Sequence, residues 1–393
     1  MVSTPERIVV VGGGPAGQRC ALALRRRGHG GAIDLVGDER LAPYDRTLLS
    51  KDALRGEREP EPVALAPAGA YAEAGVTVHA GARATGLDAH ARTVALDDGR
   101  ALSYDRLVIA TGGRPSLPPA LRCDGVLTVR TAADVAPLRD ALVRARHLVV
   151  IGGGFIGGEI ASAAVALAAP VTLVEAAEHP LAPVLGAEVA EHVTSLHRAA
   201  GVEVRCGAAV TSVRRERDGW RVALADGAEL RADAVIAGVG MVPAVDWLDG
   251  SPLTIDDGIV TDERCRTDVD GVLAAGDCAR WHNPRYGRSM RVEHWDTACR
   301  HGEAAAANAL GIDTPFAPLP FFWSEQHGVV VRYAGHAPEW DAVEVQEGEQ
   351  PHEWVARYLH DGRLVAACAA GRPRDFAAAR RELDQPTKEH APT

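Results

Sequence analysis

The chain contains no C-x-x-C pair. Its seven cysteines lie singly at positions 20, 123, 206, 265, 278, 299 and 368. That dispersal excludes a thioredoxin-reductase-type dithiol and reads as reduced thiols of a cytoplasmic protein. Positive charge is not in excess: 42 Lys and Arg stand against 53 Asp and Glu, a net charge of −11. A general nucleic-acid binder would show a basic face, so that class is set aside. No long uninterrupted apolar run occurs. The longest apolar stretch, 148–174, is broken by Gly152, Gly153, Gly154, Gly157, Gly158 and Glu159, which argues against a membrane span. The N-terminus runs from Arg7 into Ile8-Val9-Val10-Val11 with no cleavable apolar leader, so no signal peptide is expected.

What the chain does have is an internal repeat. Ile8–Gly17 reads IVVVGGGPAG and Leu148–Gly157 reads LVVIGGGFIG. Each is a β-branched strand, a glycine-rich turn and an Ala/Leu-rich helix, predicted near 15–27 and 155–168. Each helix leads to a further short strand, Ala32–Val36 or Val171–Val174. Two βαβ starts imply two parallel-sheet nucleotide-binding domains. Strand-rich stretches with turns at Asp97-Asp98-Gly99 and Asp226-Gly227 follow each unit and extend the repeat. A third strand end, Val272–Asp277, comes after the second unit, so the second domain reads as inserted in the first.

The expected architecture is α/β: two Rossmann-like, glutathione-reductase-like dinucleotide-binding domains plus a small α+β C-terminal domain. Residues 1–112 and 243–316 form the first, 113–242 the inserted second, and 317–393 the third. The third has successive antiparallel strands from Phe321, a helix near Phe376–Leu383 and a loose polar tail at 384–393.

The first loop is Gly12-x-Gly14-x-x-Gly17, with acidic Asp38 and Glu39 about 20–25 residues on, the spacing of a ribose contact. The first glycine permits the tight turn, the second lets backbone approach a pyrophosphate, and the third lets helix and strand pack. The second loop is Gly152-x-Gly154-x-x-Gly157 with Glu175 ending the next strand. A carboxylate there accepts hydrogen bonds from ribose hydroxyls and repels a 2′-phosphate. Ala176 and Ala177 supply no arginine for that phosphate, so NADH is expected rather than NADPH. Two dinucleotide loops suggest two cofactors, one tightly held and one exchanging. His294 has no second ligand at metal spacing, so no metal is assigned.

Five further segments carry a family resemblance: Pro43-Tyr44-Asp45-Arg46-x-x-Leu49-Ser50-Lys51, Ala110-Thr111-Gly112-Gly113-Arg114-Pro115, Ala275-Gly276-Asp277-Cys278-Ala279, Arg291-Val292-Glu293-His294-Trp295 and Phe322-Trp323-Ser324-Glu325-Gln326. In that order they resemble the FAD-containing ferredoxin reductases that serve bacterial Rieske dioxygenases and haem monooxygenases. These are similar in turn to rubredoxin reductases and apoptosis-inducing factor. The resemblance runs to about residue 380, with one departure at Thr47, where the family usually has proline.

The resemblance implies roles residue by residue. Ala16 and Asp38 would contact the FAD pyrophosphate and ribose. Arg46 and Lys51 would lie along the flavin, with Lys51 near the isoalloxazine and paired with Glu159. Arg130 would reach FAD from the linker. Asp277, beside Gly276, would bind the ribityl chain or pyrophosphate, and Trp295 the flavin edge. Glu293 would sit near the nicotinamide carboxamide, and Trp323 would shield the flavin face. Ala84, Thr111, Gly112, Ile156 and Gly240 are further implied cofactor contacts. Lys51, Glu159 and Trp323 would be the catalytic set.

Related disulfide reductases and NADH peroxidases carry a reactive cysteine after the second strand. Here that segment, Leu41–Lys51, has none. Electrons would therefore pass directly from reduced flavin to an outside acceptor, an iron–sulfur ferredoxin by resemblance. A rubredoxin reductase, an NADH oxidase and a NADH-sensing flavoprotein remain alternatives. Arg372, Arg374, Arg380 and Arg381 offer a candidate docking face for an acidic ferredoxin, with a solvated helix face as the plain alternative. Both a monomer and a homodimer fit the sequence.

Overall fold

The structure, a computed structural model, describes residues 5–56 and 62–385. From residue 386 on, the expected tail lies outside the described residues. The chain forms two compact units. The first comprises 1–45, 63–114 and 242–320; the second comprises 46–62, 115–241 and 321–393.

In the first unit, five parallel strands lie in the order Val272–Ala274, Arg106–Ile109, Arg7–Val11, Ala32–Gly37, Val76–Ala80. The central strand is β-branched because it is covered on both faces: Ile8, Val9 and Val10 are fully buried. Each such side chain contributes about 1.5–3 kcal/mol on leaving water. The first loop helix spans Pro15–Arg26, one residue short of the prediction. Against it packs the helix Trp295–Ala309, an alanine-rich element whose small side chains permit close approach. A three-stranded antiparallel sheet, Ala84–Asp88, Thr93–Leu96 and Ala101–Ser103, completes the echo read from the sequence.

The second unit repeats this plan. Four parallel strands run in the order Glu203–Arg205, Val171–Val174, Leu148–Ile151, Ala234–Ala237. The second loop helix is Phe155–Ala166, two residues shorter than predicted. A three-stranded sheet, Val210–Glu216, Gly219–Leu224 and Glu229–Ala232, again follows. The same unit holds a five-stranded antiparallel sheet, ordered Phe321–Gln326, Val329–Gly335, Arg363–Ala370, Trp354–His360, Ala342–Glu347. The C-terminal helix begins at Pro373, earlier than the Phe376 read from the sequence, because proline is well suited to a first turn. The α/β class with two Rossmann-like folds and a β-rich C-terminal portion is the observed architecture. Among the described residues no helix is long and apolar enough to cross a membrane.

Candidate functional site

In the first unit, Gly12 adopts φ +125°, and a Cβ there would lie 2.0 Å from Ala110 O. A Cβ at Gly17 would lie 1.9 Å from Gly12 O. Both positions demand glycine for close backbone approach. Gly14 differs: a Cβ there would meet nothing within 4 Å, so the loop faces open space at the helix start. That helix has no side-chain cap and no acidic residue in its first turn. Its N–H groups and dipole are therefore left for an outside anion, and the cradle fits a dinucleotide diphosphate.

Other first-unit positions have these settings. Ala16 is buried beside Gly276, whose Cβ would come within 2.8 Å of Ala16 Cβ. Gly276 has φ +77° and opens a short 3₁₀ turn that presents half-buried Asp277. Thr111 Oγ1 donates to Ala244 O (2.8 Å), and Gly112 follows in a left-handed conformation. Asp38 is exposed, whereas its neighbour Glu39 accepts a 2.5 Å hydrogen bond from Tyr44 Oη. Ala84 is buried. Glu293 is exposed and ion-paired with Arg291, and Trp295 begins the Trp295–Ala309 helix.

In the second unit the loop geometry recurs. Gly152 has φ +96°, with a Cβ 2.5 Å from Gly238 O, and a Cβ at Gly157 would lie 1.9 Å from Gly152 O. Gly154 caps the following helix without a side-chain cap. Glu175 is fixed at the mouth: Oε2 accepts from Gly153 N (2.6 Å) and Oε1 from Ala177 N (2.8 Å). Ile156 is 41% exposed on the first turn, an unusual placement for so large an aliphatic. Gly240, at φ +95°, accepts from Ser116 N (2.9 Å).

The second unit also contains a buried ion pair. Lys51 Nζ lies 2.8 Å from Glu159 Oε1, with side-chain exposures of 9% and 3%. Lys51 also donates to Thr47 O (3.0 Å). Glu159 accepts from Ser50 Oγ (2.5 Å) and Ser324 Oγ (2.7 Å), and Gln326 Nε2 donates to Ser324 Oγ (3.1 Å). A buried carboxylate is tolerable only with such a set of donors. The strand Phe321–Gln326 supplies one of them, Ser324, with Gln326 behind it, because Phe322, Ser324 and Gln326 alternate inward. Gly158 makes room, since a Cβ there would lie 2.7 Å from Gln326 Nε2. Trp323 faces the opposite way, half-buried and stacked with Phe321 at 5.9 Å. Nearby, Arg46 Nη1 donates to Arg130 O (2.7 Å), which ties those two positions together.

Ser50, Ser324 and Gln326 stood in the sequence only as members of the resemblance segments, with no role given, and His301 was not singled out. The usable signal was polar residues at alternate positions of an otherwise apolar strand in Phe321–Gln326. For His301, whose ring Nδ1 accepts from Gly276 N (3.1 Å), no local signal exists. All seven cysteines are free thiols. Burial pushes Cys20 up to about 12 and Cys278 upward, so both stay protonated and unreactive. Among the described residues no group of three His, Cys, Asp or Glu side chains is placed to hold a metal ion.

Comparison with known proteins places this geometry. A family model described as pyridine nucleotide-disulphide oxidoreductase matches residues 6–302, and one described as reductase C-terminal matches 321–392. The ferredoxin–NAD(+) reductase component of the anthranilate 1,2-dioxygenase system of Burkholderia cepacia is 37% identical, over 96% of this chain and 93% of that protein. Putidaredoxin reductase of Pseudomonas putida is 35% identical, over 94% and 90%. The crystal structure of the covalent putidaredoxin reductase–putidaredoxin complex is similar with a TM-score of 0.92 at 34% identity, covering 97% of this chain and 93% of that one.

Proposed function

The chain belongs to the pyridine nucleotide-disulphide oxidoreductase family, and from that premise we propose that it is a cytoplasmic, NADH-dependent FAD flavoprotein reductase. It passes electrons from NADH through FAD to a small iron–sulfur ferredoxin that supplies an oxygenase. The observation that carries this reading is the pair of glycine-loop helix starts, each without a side-chain cap, in a chain similar over nearly its whole length to ferredoxin reductases. In this reading FAD sits on the loop Gly12–Gly17, with residues 1–112 and 243–316 as its domain. NADH sits on Gly152–Gly157, in 113–242, and residues 317–393 form the C-terminal domain.

Bound FAD supplies the conversion of one hydride into two single electrons. The chain's own residues bind, orient and balance charge. The uncapped helix N-termini take the two diphosphates, as their unneutralised dipoles favour. Ala16, Asp38, Ala84, Thr111, Gly112, Gly276, Asp277 and Trp295 line the FAD side. Gly152, Gly154, Ile156, Gly157, Glu175 and Gly240 line the NADH side, with Glu293 at the carboxamide. Glu175 accepts from the adenosine ribose hydroxyls and disfavours the extra phosphate of NADPH by like-charge repulsion. Lys51 holds positive charge where the reduced ring gains negative charge. Glu159 pairs with that ammonium and orients it, and Trp323 covers the ring. Arg46 and Arg130 stand along the same cofactor.

The overall reaction balances without a protein thiol: NADH and two oxidised ferredoxins give NAD⁺, two reduced ferredoxins and one proton. Free, mostly buried cysteines agree with that direct route.

Stopped-flow mixing of the purified yellow protein with NADH, then with a 2Fe–2S ferredoxin, tests the proposal. Rapid bleaching by NADH followed by rapid reoxidation by ferredoxin is expected. Reoxidation by oxygen alone, or by rubredoxin in preference, would replace the ferredoxin assignment with an oxidase or a rubredoxin reductase.

A further inference from the structure

The helix Trp295–Ala309 meets two segments of the first unit through consecutive residues. His301 Nδ1 accepts the hydrogen bond of Gly276 N at 3.1 Å. At Gly302, a Cβ would lie 2.1 Å from Ala16 O, so this helix touches the first turn of the helix Pro15–Arg26 backbone to backbone. Gly276 itself packs on Ala16, where a Cβ would come within 2.8 Å of Ala16 Cβ. Two adjacent positions of one helix thus set the spacing between the glycine loop and the turn that carries Asp277.

His301 is an expensive way to fill that place. It is fully buried, lying flat on Phe316 at 4.4 Å with an interplanar angle of 10°, beside Trp281 at 5.1 Å. Because Nδ1 accepts a hydrogen bond, the neutral ring carries its proton on Nε2. That Nε2 is buried and has no hydrogen-bond partner among the described residues. A leucine of similar volume would avoid the orphaned donor, so the ring is retained for what Nδ1 does.

We propose that His301 is a positioning residue for the dinucleotide diphosphate: through Gly276 N–H it holds the Gly276-Asp277 turn at fixed distance and angle from the loop Gly12–Gly17. Gly302 sets the same spacing by letting the two helices touch at Ala16. The ligand class is a dinucleotide with a diphosphate bridge, which needs both the loop and the turn at once. The inference rests on the reading of the first loop as the FAD site.

The test compares His301→Leu with His301→Gln, whose amide oxygen can replace the lost acceptor. Two measurements are made on full-length apo-protein. The first is hydrogen exchange of the peptide spanning 272–279, which needs no cofactor. The second is the FAD dissociation constant from flavin fluorescence quenching. In the leucine variant exchange at this turn should speed up, and FAD should bind at least tenfold more weakly. The glutamine variant should recover most of both. Unchanged exchange in the leucine variant overturns the inference. Equal losses in both variants also overturn it, since ring shape rather than the acceptor would then matter. Should the leucine variant not fold, glutamine alone decides: wild-type exchange and near wild-type FAD affinity support the inference, and a large loss of either overturns it. If wild-type protein binds no FAD, the cofactor reading fails, and the diphosphate role falls with it.

Discussion

Glu159 Oε1 stands 2.8 Å from Lys51 Nζ, with both side chains nearly excluded from solvent. The three donors around one carboxylate come from two segments far apart in the chain: Ser50 and Lys51, and Ser324, which is itself backed by Gln326. The helix carrying Glu159 is therefore tied to both by charge as well as by packing.

Removing one partner of that pair should be costly. Glu159→Ala leaves an ammonium buried without a counter-charge, and about 3–5 kcal/mol of stability should be lost. Lys51→Met combined with Glu159→Gln should restore much of it, because no charge is then buried. Thermal melting of the apo-protein compares the two. A double variant as unstable as the single one would show that the charge is not the cause.

The two glycine loops should separate by cofactor. Gly17→Ala forces a Cβ onto Gly12 O and should yield protein without bound flavin. Gly157→Ala does the same at Gly152 O and should yield yellow protein that NADH reduces at least a hundredfold more slowly. Flavin absorbance and NADH bleaching read the two outcomes.

Glu175→Gln should narrow the preference for NADH over NADPH at least tenfold, by removing the negative charge while keeping one acceptor for the loop. Glu175→Ala should also raise the KM for NADH, because Gly153 N and Ala177 N both lose their acceptor. Steady-state kinetics with each nucleotide give the ratio. An unaltered ratio in both variants would remove Glu175 from cofactor selection.

On the C-terminal helix, Arg380 lies over the ring of Phe321 at 4.4 Å, and Arg381 is exposed beside it. If this face steers an acidic ferredoxin, Arg380→Glu with Arg381→Glu should slow electron transfer several-fold at low salt and flatten its ionic-strength dependence. An unchanged salt dependence would return these arginines to the role of a solvated helix face.

Acid should destabilise the protein well before its carboxylates titrate. Burial holds His197 and His301 down to about 3, against about 6.5 for an unfolded histidine. The unfolded chain therefore binds more protons between those values. The stability from keeping these rings neutral is complete above pH 6.5 and is lost as pH falls toward 3. At pH 4.5 the loss should reach at most about 3 kcal/mol per histidine. His197 also faces His327, whose Nε2 lies 2.9 Å from its Nδ1, so a second proton on that pair is opposed by its neighbour. His301→Gln should lose less stability than wild type between pH 7 and 4.5, as denaturant unfolding would measure. An equal fall would contradict the assignment for that ring.

Much of this was legible in the sequence because it is written locally. Gly12–Gly17 and Gly152–Gly157 each encode strand, turn and helix start within a short run, so pattern alone located them. Strand edges shifted slightly: the strand read over Ala32–Val36 extends to Gly37, for instance, because its end is set by pairing with the partner strand. The surroundings of Glu159 were not legible beyond Lys51. Ser324 lies far along the chain, and its inward direction depends on the register of a sheet that no local pattern fixes. His301 read as one more polar residue in an alanine-rich helix. Its meaning comes from burial against Phe316 and Trp281, which only the folded chain creates.

The first unit's sheet places Val272–Ala274 beside Arg106–Ile109, with the whole 115–241 segment between them in the chain. During synthesis from the N-terminus, the edge of Arg106–Ile109 has no native neighbour until that intervening stretch has been made. Completing the sheet is then a long-range closure with a high entropic cost, which marks it as a late step of folding. An exposed, strongly apolar strand edge is also the feature most prone to pair wrongly with another chain. Yield on rapid overproduction should therefore depend on temperature and chaperone supply more than the stability of the finished protein would suggest.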